Sequence, residues 1–383
     1  MRARSRRAAW LRLTALALGC AVCGGACLRL CGGQGASGLW RQTGLLGLTF
    51  AVDAQAAGKT LQQWLSAEEP VADALQVDVS TPSAAQPVQG STQKETVPTG
   101  QAVLQPEAPP TAESIPADWL PVREVAYPDT GAGERYIPLA AGSIRNLTSY
   151  TAVQVRQTVA QGGLPFAVTP GSAEPQVLIL HTHATECYAE EDGWVSPANN
   201  GRTTDAAANI LAVGAELAAV LNAAGICTVQ DTALHDYPSY NGSYGRSRAA
   251  TEKWLAEYPS IKVVLDVHRD AIETDGVRIK PTAVINGQKA AQLMIISGAD
   301  DGTMGMPAFW ENLRFAAALQ AAVEGTYDGL TRPVLFDYRN YNQQLTTGSL
   351  LLEIGGHGNT LEEAKYTARL VGNVLAQLLR ENA

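Results

Sequence analysis

Two regimes of hydrophobic patterning divide the chain. From Gln176 onward, short apolar runs alternate with stretches of helical period. The runs are "VLIL" (177–180), "ICTV" (226–229), "VVLDV" (263–267), "QLMIIS" (292–297), "RPVLF" (332–336) and "LLLEI" (350–354). Several lack polar alternation, as parallel strands buried on both faces do. Between them, residues 205–224 place Ile210, Val213, Leu217, Val220 and Leu221 on one helical face, with Gly225 as the stop. Pro307 opens a second helix running to about Val323. Thr360-Leu361-Glu362-Glu363 reads as a capping box ahead of Ala364, Ala368, Val371, Leu375 and Leu378. Residues 136–170 read as a short strand, a turn and an amphipathic helix. The alternation predicts an α/β fold over 173–383, a three-layer domain on a mixed, mostly parallel sheet. Residues 119–172 form its short N-terminal extension.

The N-terminal third follows different rules. Arg2, Arg4, Arg6, Arg7 and Arg12 precede an apolar run from Leu13 to Leu28, and Arg29 follows it. With Leu30 and Cys31 added and the flanking arginines snorkelling outward, this makes a single membrane span, so 1–31 are expected to be a cytoplasmic basic end and an uncleaved transmembrane anchor. The positive-inside rule leaves everything beyond it outside the cell membrane. The rival reading, a signal peptide cut near "DAQAAG" (53–58), has only a weak cleavage site. Residues 32–118 turn to Ala, Pro, Gln, Thr and Ser, with "TPSAAQPVQGSTQKETVPTG" the clearest stretch. So few apolar side chains cannot offset chain entropy, which predicts a disordered linker.

Charge and cysteine change the picture only a little. Seven arginines and no acid fall in residues 1–41, leaving 21 basic against 37 acidic residues in the remainder. That excess offers little to a phosphate backbone and sets nucleic acid aside as a partner. Cys20, Cys23, Cys27 and Cys31 all lie in the expected anchor, where small polarizable side chains suit an apolar helix. Cys187 and Cys227 remain for the exported part, and spacing alone does not pair them.

Candidate chemistry gathers at strand ends. His181 and His183 follow "VLIL", His268 sits in "VVLDVHRDA", and Glu353 and His357 lie in "LLLEIGGHGN". Ligands in α/β folds bind beyond the C-terminal ends of strands. A zinc hydrolase needs three protein ligands, commonly two His and one Glu, with one position left open. His183-Ala184-Thr185-Glu186 with His268 matches that set, and Glu353 is the carboxylate free to handle protons. Either His181 or His183 could be the first imidazole. Arg269 is a candidate for polarising a carbonyl, with an ion pair to Asp266 or Asp270 as the structural alternative. His235, in "LHDYPSYNGSYGRS", reads as a surface or groove residue, and Asn342 and Gln343, in "YRNYNQQL", as groove-lining residues or ordinary loop polarity.

At this point the chain resembles a known family, stage II sporulation protein P of endospore-forming bacteria. The blocks that carry the resemblance span most of 136–383: "YIPLAAGSIRNLT", "VLILHTHATECY", "NILAVGAELAAVLN", "DVHRDAI", "NLRFAAALQ" and "RPVLFDYRNYNQQLTTGSLLLEIGGHGNTLEEA". The resemblance implies an amidase- or zinc-carboxypeptidase-like domain in a membrane-anchored, Zn2+-dependent peptidoglycan hydrolase of forespore engulfment. Its activity would be that of an N-acetylmuramoyl-L-alanine amidase, with stem-peptide endopeptidase activity as a second one. It also implies, as partners, a lytic transglycosylase (stage II sporulation protein D) and the membrane protein stage II sporulation protein M. Carried over by position, Glu353 resembles the amidase catalytic glutamate, Asn359 the asparagine that follows it, and His268 the second histidine ligand. The amidase acidic ligand opens a helix four residues before an asparagine, which falls here on Asp205, before Asn209, so Glu186 and Asp205 are rivals. Two other functions stand beside this one: a carboxypeptidase-like stem-peptide peptidase, and a metal-free scaffold that binds the wall.

Overall fold

The computed structural model describes residues 116–383. The expected anchor, and the expected linker apart from its last three residues, lie outside them. Among the described residues no helix is long and apolar enough to cross a membrane.

Fourteen strands and five α-helices are formed in this region. In chain order they begin with β1 (Leu120–Pro121), β2 (Arg123–Val125), β3 (Tyr136–Pro138), β4 (Ser143–Asn146), α1 (Ala152–Val159) and β5 (Val177–Leu180). Next come β6 (Trp194–Val195), α2 (Ile210–Ala223), β7 (Thr228–Gln230), α3 (Ser243–Glu257), β8 (Val263–Asp270) and β9 (Glu273–Thr274). The last are β10 (Val277–Ile285), β11 (Gln288–Ala291), β12 (Leu293–Gly298), α4 (Phe309–Thr326), β13 (Val334–Asp337), β14 (Gly348–Gly356) and α5 (Leu361–Glu381).

Eight strands make the main sheet, in the order β3-β4-β13-β12-β14-β8-β5-β7. Only β3–β4 and β12–β14 are antiparallel. The sheet is therefore mixed and mostly parallel. The reversal between β12 and β14 positions the site: β5, β8 and β14 run together and end at one edge, whereas β12 and β13 end at the other. The stretch expected to be an extension is built into this architecture, since β3 and β4 form an outer part of the sheet and α1 packs on α4.

Strand alternation sorts side chains between two unequal faces. Val177, Ile179, Val263, Leu265, Val267, Leu350, Leu352 and Ile354 join the large core with α1, α2, α4 and α5. Leu178, Leu180 and Val264 face the other way, into a small cluster with Trp254 and Leu255 of α3. A single helix covers this second face, so it is where polar groups remain near the surface.

Two helix starts show what local chemistry decides. Thr360 and Glu363 complete the expected capping box on α5. By contrast, α2 begins at Ile210, later than its apolar period suggests. Asn209 caps it by accepting from Leu211 N, and Asp205, where the expected 205–224 stretch begins, instead forms its own turn by accepting from Ala207 N at 3.0 Å. Asp and Asn compete in this way for backbone donors and shorten helices at their N-termini. The hairpin β10–β11 is not among the apolar runs expected to be strands. Asn286 and Gly287 both have positive φ, 51° and 79°, as a two-residue Asn-Gly turn requires.

Candidate active site

Residues after β5 separate two imidazoles that sequence left as alternatives. His181 continues the strand and turns toward the large core. Its Nδ1 donates to Val267 O at 2.9 Å, and its Nε2 accepts from Gln230 Nε2 at 3.0 Å. α2 presses on it so closely that a Cβ on Gly214 would lie 2.3 Å from Nε2. Both ring nitrogens are thus committed, and burial pulls the imidazole down to about 4. His183 lies past the strand end, on the α3 side. Tyr240 stacks on its ring at 4.5 Å, and the rings of Tyr244 and His268 meet it edge-on at 5.5 and 5.3 Å. Its Nδ1 is buried and has no partner. Burial and the neighbouring His268 lower its basicity.

His268 stands between two carboxylates. Its Nδ1 is 3.5 Å from Glu186 Oε2, and its Nε2 is 2.8 Å from Asp266 Oδ1, although this second approach is out of line for a hydrogen bond. Burial disfavours the imidazolium, but Asp266 and Glu186 together raise its pKa well above the usual value. Glu186 is pushed up by burial and pulled further down by His268, by the charge of Arg269 and by the Arg269 N–H, and it settles at about 2. Asp266 holds the turn below it, accepting from Thr182 N at 2.8 Å and Thr182 Oγ1 at 2.7 Å. Sequence reading used Asp266 only as an ion-pair partner. The signal that finds it is its spacing of two from His268 on one strand, which puts both on the α3 face.

Glu353 pairs across β14–β8 with His268 itself. Its Oε2 is buried and unpartnered, and burial raises the carboxyl to about 8 against the opposing pull of His268. His357 is also at this edge, with a buried, unpartnered Nε2. Asn359 lies deeper, accepting from Gly356 N at 2.9 Å and donating to Glu363 Oε2 at 2.9 Å, so it braces the strand end that carries Glu353.

Other expected residues go elsewhere. Arg269 turns away from the cleft, with Nε on Cys187 O at 2.9 Å and Nη2 on Gly201 O at 2.6 Å. It ties down the loop that carries Glu186. Asp205 is exposed and apart from the imidazoles. His235 is buried against Asp231 at 3.3 Å, not at the surface, and its carbonyl accepts from Arg246 Nε at 2.6 Å. Gln343 is buried and bonded to Gly298 N and Ile296 O, while Asn342 donates to Tyr244 O and Ser247 Oγ. Cys187 and Cys227 are both free thiols. A cavity of about 510 Å³ borders Arg202 and Thr203, but none of His183, His268 and Glu353 lines it.

The donor set fits zinc in kind: two imidazoles and a carboxylate. Corners of a tetrahedron centred about 2.0–2.2 Å from each ligand lie roughly 3.3–3.6 Å apart, and the His268 Nδ1 to Glu186 Oε2 spacing of 3.5 Å is of that size. The ring of His183, centred 5.3 Å from that of His268, carries an unpartnered Nδ1 as the third donor atom. Among the described residues, no group of three or more His, Cys, Asp or Glu side chains already converges at metal-holding distances.

Comparison with known proteins agrees with the sequence motifs. The chain is 11% identical in sequence to the CwlD amidase of Clostridioides difficile, solved with the GerS lipoprotein, over 54% of this chain and 99% of that one, with a TM-score of 0.34. For the catalytic domain of CwlV, an N-acetylmuramoyl-L-alanine amidase of Bacillus (Paenibacillus) polymyxa var. colistinus, the figures are 13%, 54%, 97% and 0.32. Likeness at that level decides nothing about chemistry. Stage II sporulation protein P of Bacillus subtilis (strain 168) is 30% identical over 218 residues, which are 53% of this chain and 50% of that protein. The chain thus spans about half the length of this curated relative. The family model described as stage II sporulation protein P matches residues 82–376, and the chain belongs to that family.

Proposed function

We propose that the chain is a zinc-dependent peptidoglycan hydrolase of sporulation, an N-acetylmuramoyl-L-alanine amidase held at the cell membrane by its N-terminal segment. The observation that carries the reading is convergence. Three strand ends bring His183, His268 and Glu353 to one edge and one face, with a buried carboxyl oxygen of Glu353 left unpartnered. His183 and His268 would hold the ion through their Nδ1 atoms, with Glu186 as the acidic ligand. Asp266, on the Nε2 side of His268, would orient that ring, as carboxylates commonly do for metal-bound histidines. When bound, zinc would supply Lewis acidity and lower the pKa of water toward neutrality.

Everything else falls to the chain's own groups. Glu353 takes a proton from the attacking water on its unpartnered Oε2 and returns it to the departing amide nitrogen. In the metal-free protein burial keeps this carboxyl protonated up to about pH 8, and a cation held beside it would favour the ionised form that accepts the proton. Arg269 acts at one remove, fixing the loop from which Glu186 projects. Delivery of the wall substrate by stage II sporulation proteins D and M belongs to the same proposal, as does action outside the cell membrane. The test is elemental analysis of the protein, with mass spectrometry of digested sacculi. Intact stem peptides with a free N-terminal alanine and one bound zinc are expected. Cleavage within the stem peptides would replace the amidase with a peptidase, and zinc-free protein that still cleaves would remove the metal.

A further inference from the structure

The turn leading into β13 carries an arginine that the proposed reaction does not use. Its backbone is held from several sides. Arg332 N donates to Leu293 O at 2.8 Å and Arg332 O accepts from Gln320 Nε2 at 3.1 Å. The preceding Thr331 gives both its N–H and its hydroxyl to Glu324 Oε2. The Arg332 side chain is buried, with the residue only 6% exposed. Nη1 donates to Asp270 Oδ2 at 2.8 Å, while Nε and Nη2 are screened from solvent and have no partner.

Those two nitrogens lie on the same side of the guanidinium. Their N–H groups form the fork that matches the two oxygens of a carboxylate. Buried donors are nearly always paired, so two orphans on one arginine call for an explanation. Lys280 shows how this fold treats a buried cation that is purely structural. It is fully buried and surrounded by Asp192, Glu363 and Glu124. Arg332 has one carboxylate and an unfilled fork. Its location gives the fork meaning, because Asp270 lies two residues beyond His268 on β8, opposite Gly356 of β14. The guanidinium therefore stands on the Glu353 side of the cleft, near enough for its charge to act on that carboxyl.

We infer that Arg332 is a subsite for a substrate carboxylate, its Nε–Nη2 fork taking both oxygens while Asp270 holds the guanidinium from behind. The inference rests on the reading of this chain as a peptidoglycan hydrolase, whose peptide substrates carry free carboxylates near the amide to be cut. A buried fork selects for charge, since a carboxamide offers one acceptor and sets its own N–H against a donor. The half-buried Tyr127, whose ring centre is 6.0 Å from the guanidinium carbon, flanks the guanidinium, and the buried fork opens to a ligand only as neighbouring side chains move.

The experiment is a calorimetric titration of the metal-free protein with a muropeptide bearing free carboxylates, and with the same muropeptide converted to carboxamides. Wild type is expected to favour the acid by about tenfold or more. Arg332→Lys and Arg332→Gln are expected to lose that preference while keeping wild-type zinc content and melting behaviour. A wild type that binds the two forms equally, or binds neither, overturns the subsite even if the variants do not fold. So does an Arg332→Lys protein that keeps the full preference, which would leave Arg332 as a structural partner of Asp270. Sacculus cleavage by the metal-loaded wild type is scored separately. Acid preference without cleavage would sink the hydrolase reading and leave the subsite standing.

Discussion

His181 and His183 are two residues apart, yet they occupy opposite kinds of environment. Around His181 both ring nitrogens are bonded, and α2 leaves no room for one extra carbon. Around His183 the contacts are aromatic faces and edges, and Nδ1 is unpartnered. The same contrast runs across the sheet. Under α1, α2, α4 and α5 the core is apolar and close-packed, whereas the face under α3 collects His268, Asp266 and Glu353. One side of the sheet is built for stability, and the strand ends on the other are left with reactive groups. A static histidine count would not distinguish them, but unpartnered atoms do.

The sharpest way to break that contrast is Glu353→Gln. It is expected to lower the rate of wall cleavage by about 10³-fold, within the usual range for a removed acid–base group, while zinc content and melting temperature stay near wild type. An unchanged rate would take Glu353 out of the chemistry.

Next comes the histidine pair itself. His183→Ala is expected to abolish zinc binding and cost less than about 1 kcal/mol of stability. His181→Ala should retain zinc but lose roughly 2–3 kcal/mol, because it empties a packed site and orphans Gln230 and Val267. Zinc analysis alongside denaturant melts separates the two, and the opposite assignment would invert the reading of the cleft.

Asp266→Asn probes the support behind His268. Outer carboxylates on metal histidines are worth about 10–100-fold in affinity, so weaker zinc binding by that factor in a competition titration is expected. Affinity equal to wild type would mean that Asp266 only holds Thr182.

The last test is a pH slope. Glu353 titrates at about 8 in the folded, metal-free protein and near 4.3 when unfolded. Between those values the folded chain holds a proton that the unfolded chain has released. This contribution to stability is therefore complete below the unfolded pKa and is lost as pH rises through about 8. Wild type should lose roughly 1.4 kcal/mol per pH unit relative to Glu353→Gln, on the order of 4 kcal/mol between pH 5 and pH 8.5. Parallel stability curves would show that burial does not hold that proton.

Much of this was legible in the chain. Short, mostly apolar runs of strand length named the main-sheet strands β5, β7, β8, β12, β13 and β14, because two-face burial leaves few polar positions in them. The capping box at Thr360 set the start of α5, since its hydrogen bonds are local. Histidines and glutamate placed directly after such runs pointed to one sheet edge. Arg269 and His235 read differently in three dimensions, for different reasons. The partners of Arg269, Cys187 O and Gly201 O, come from a loop whose path no local pattern encodes. His235 has a local partner, Asp231, but its burial is set by tertiary packing, with its carbonyl held by Arg246.

Sequence by itself determined the period of each element, its caps and the chemical types available at the strand ends, because those depend on neighbours within a few residues. Only the tertiary structure decided which way each group faces and what it meets. It put His181 inward and His183 outward, drew Lys280 fully inside among three carboxylates, and left two of the three guanidinium nitrogens of Arg332 without a partner. Those outcomes depend on the order and direction of strands far apart in the chain, and above all on the reversal between β12 and β14.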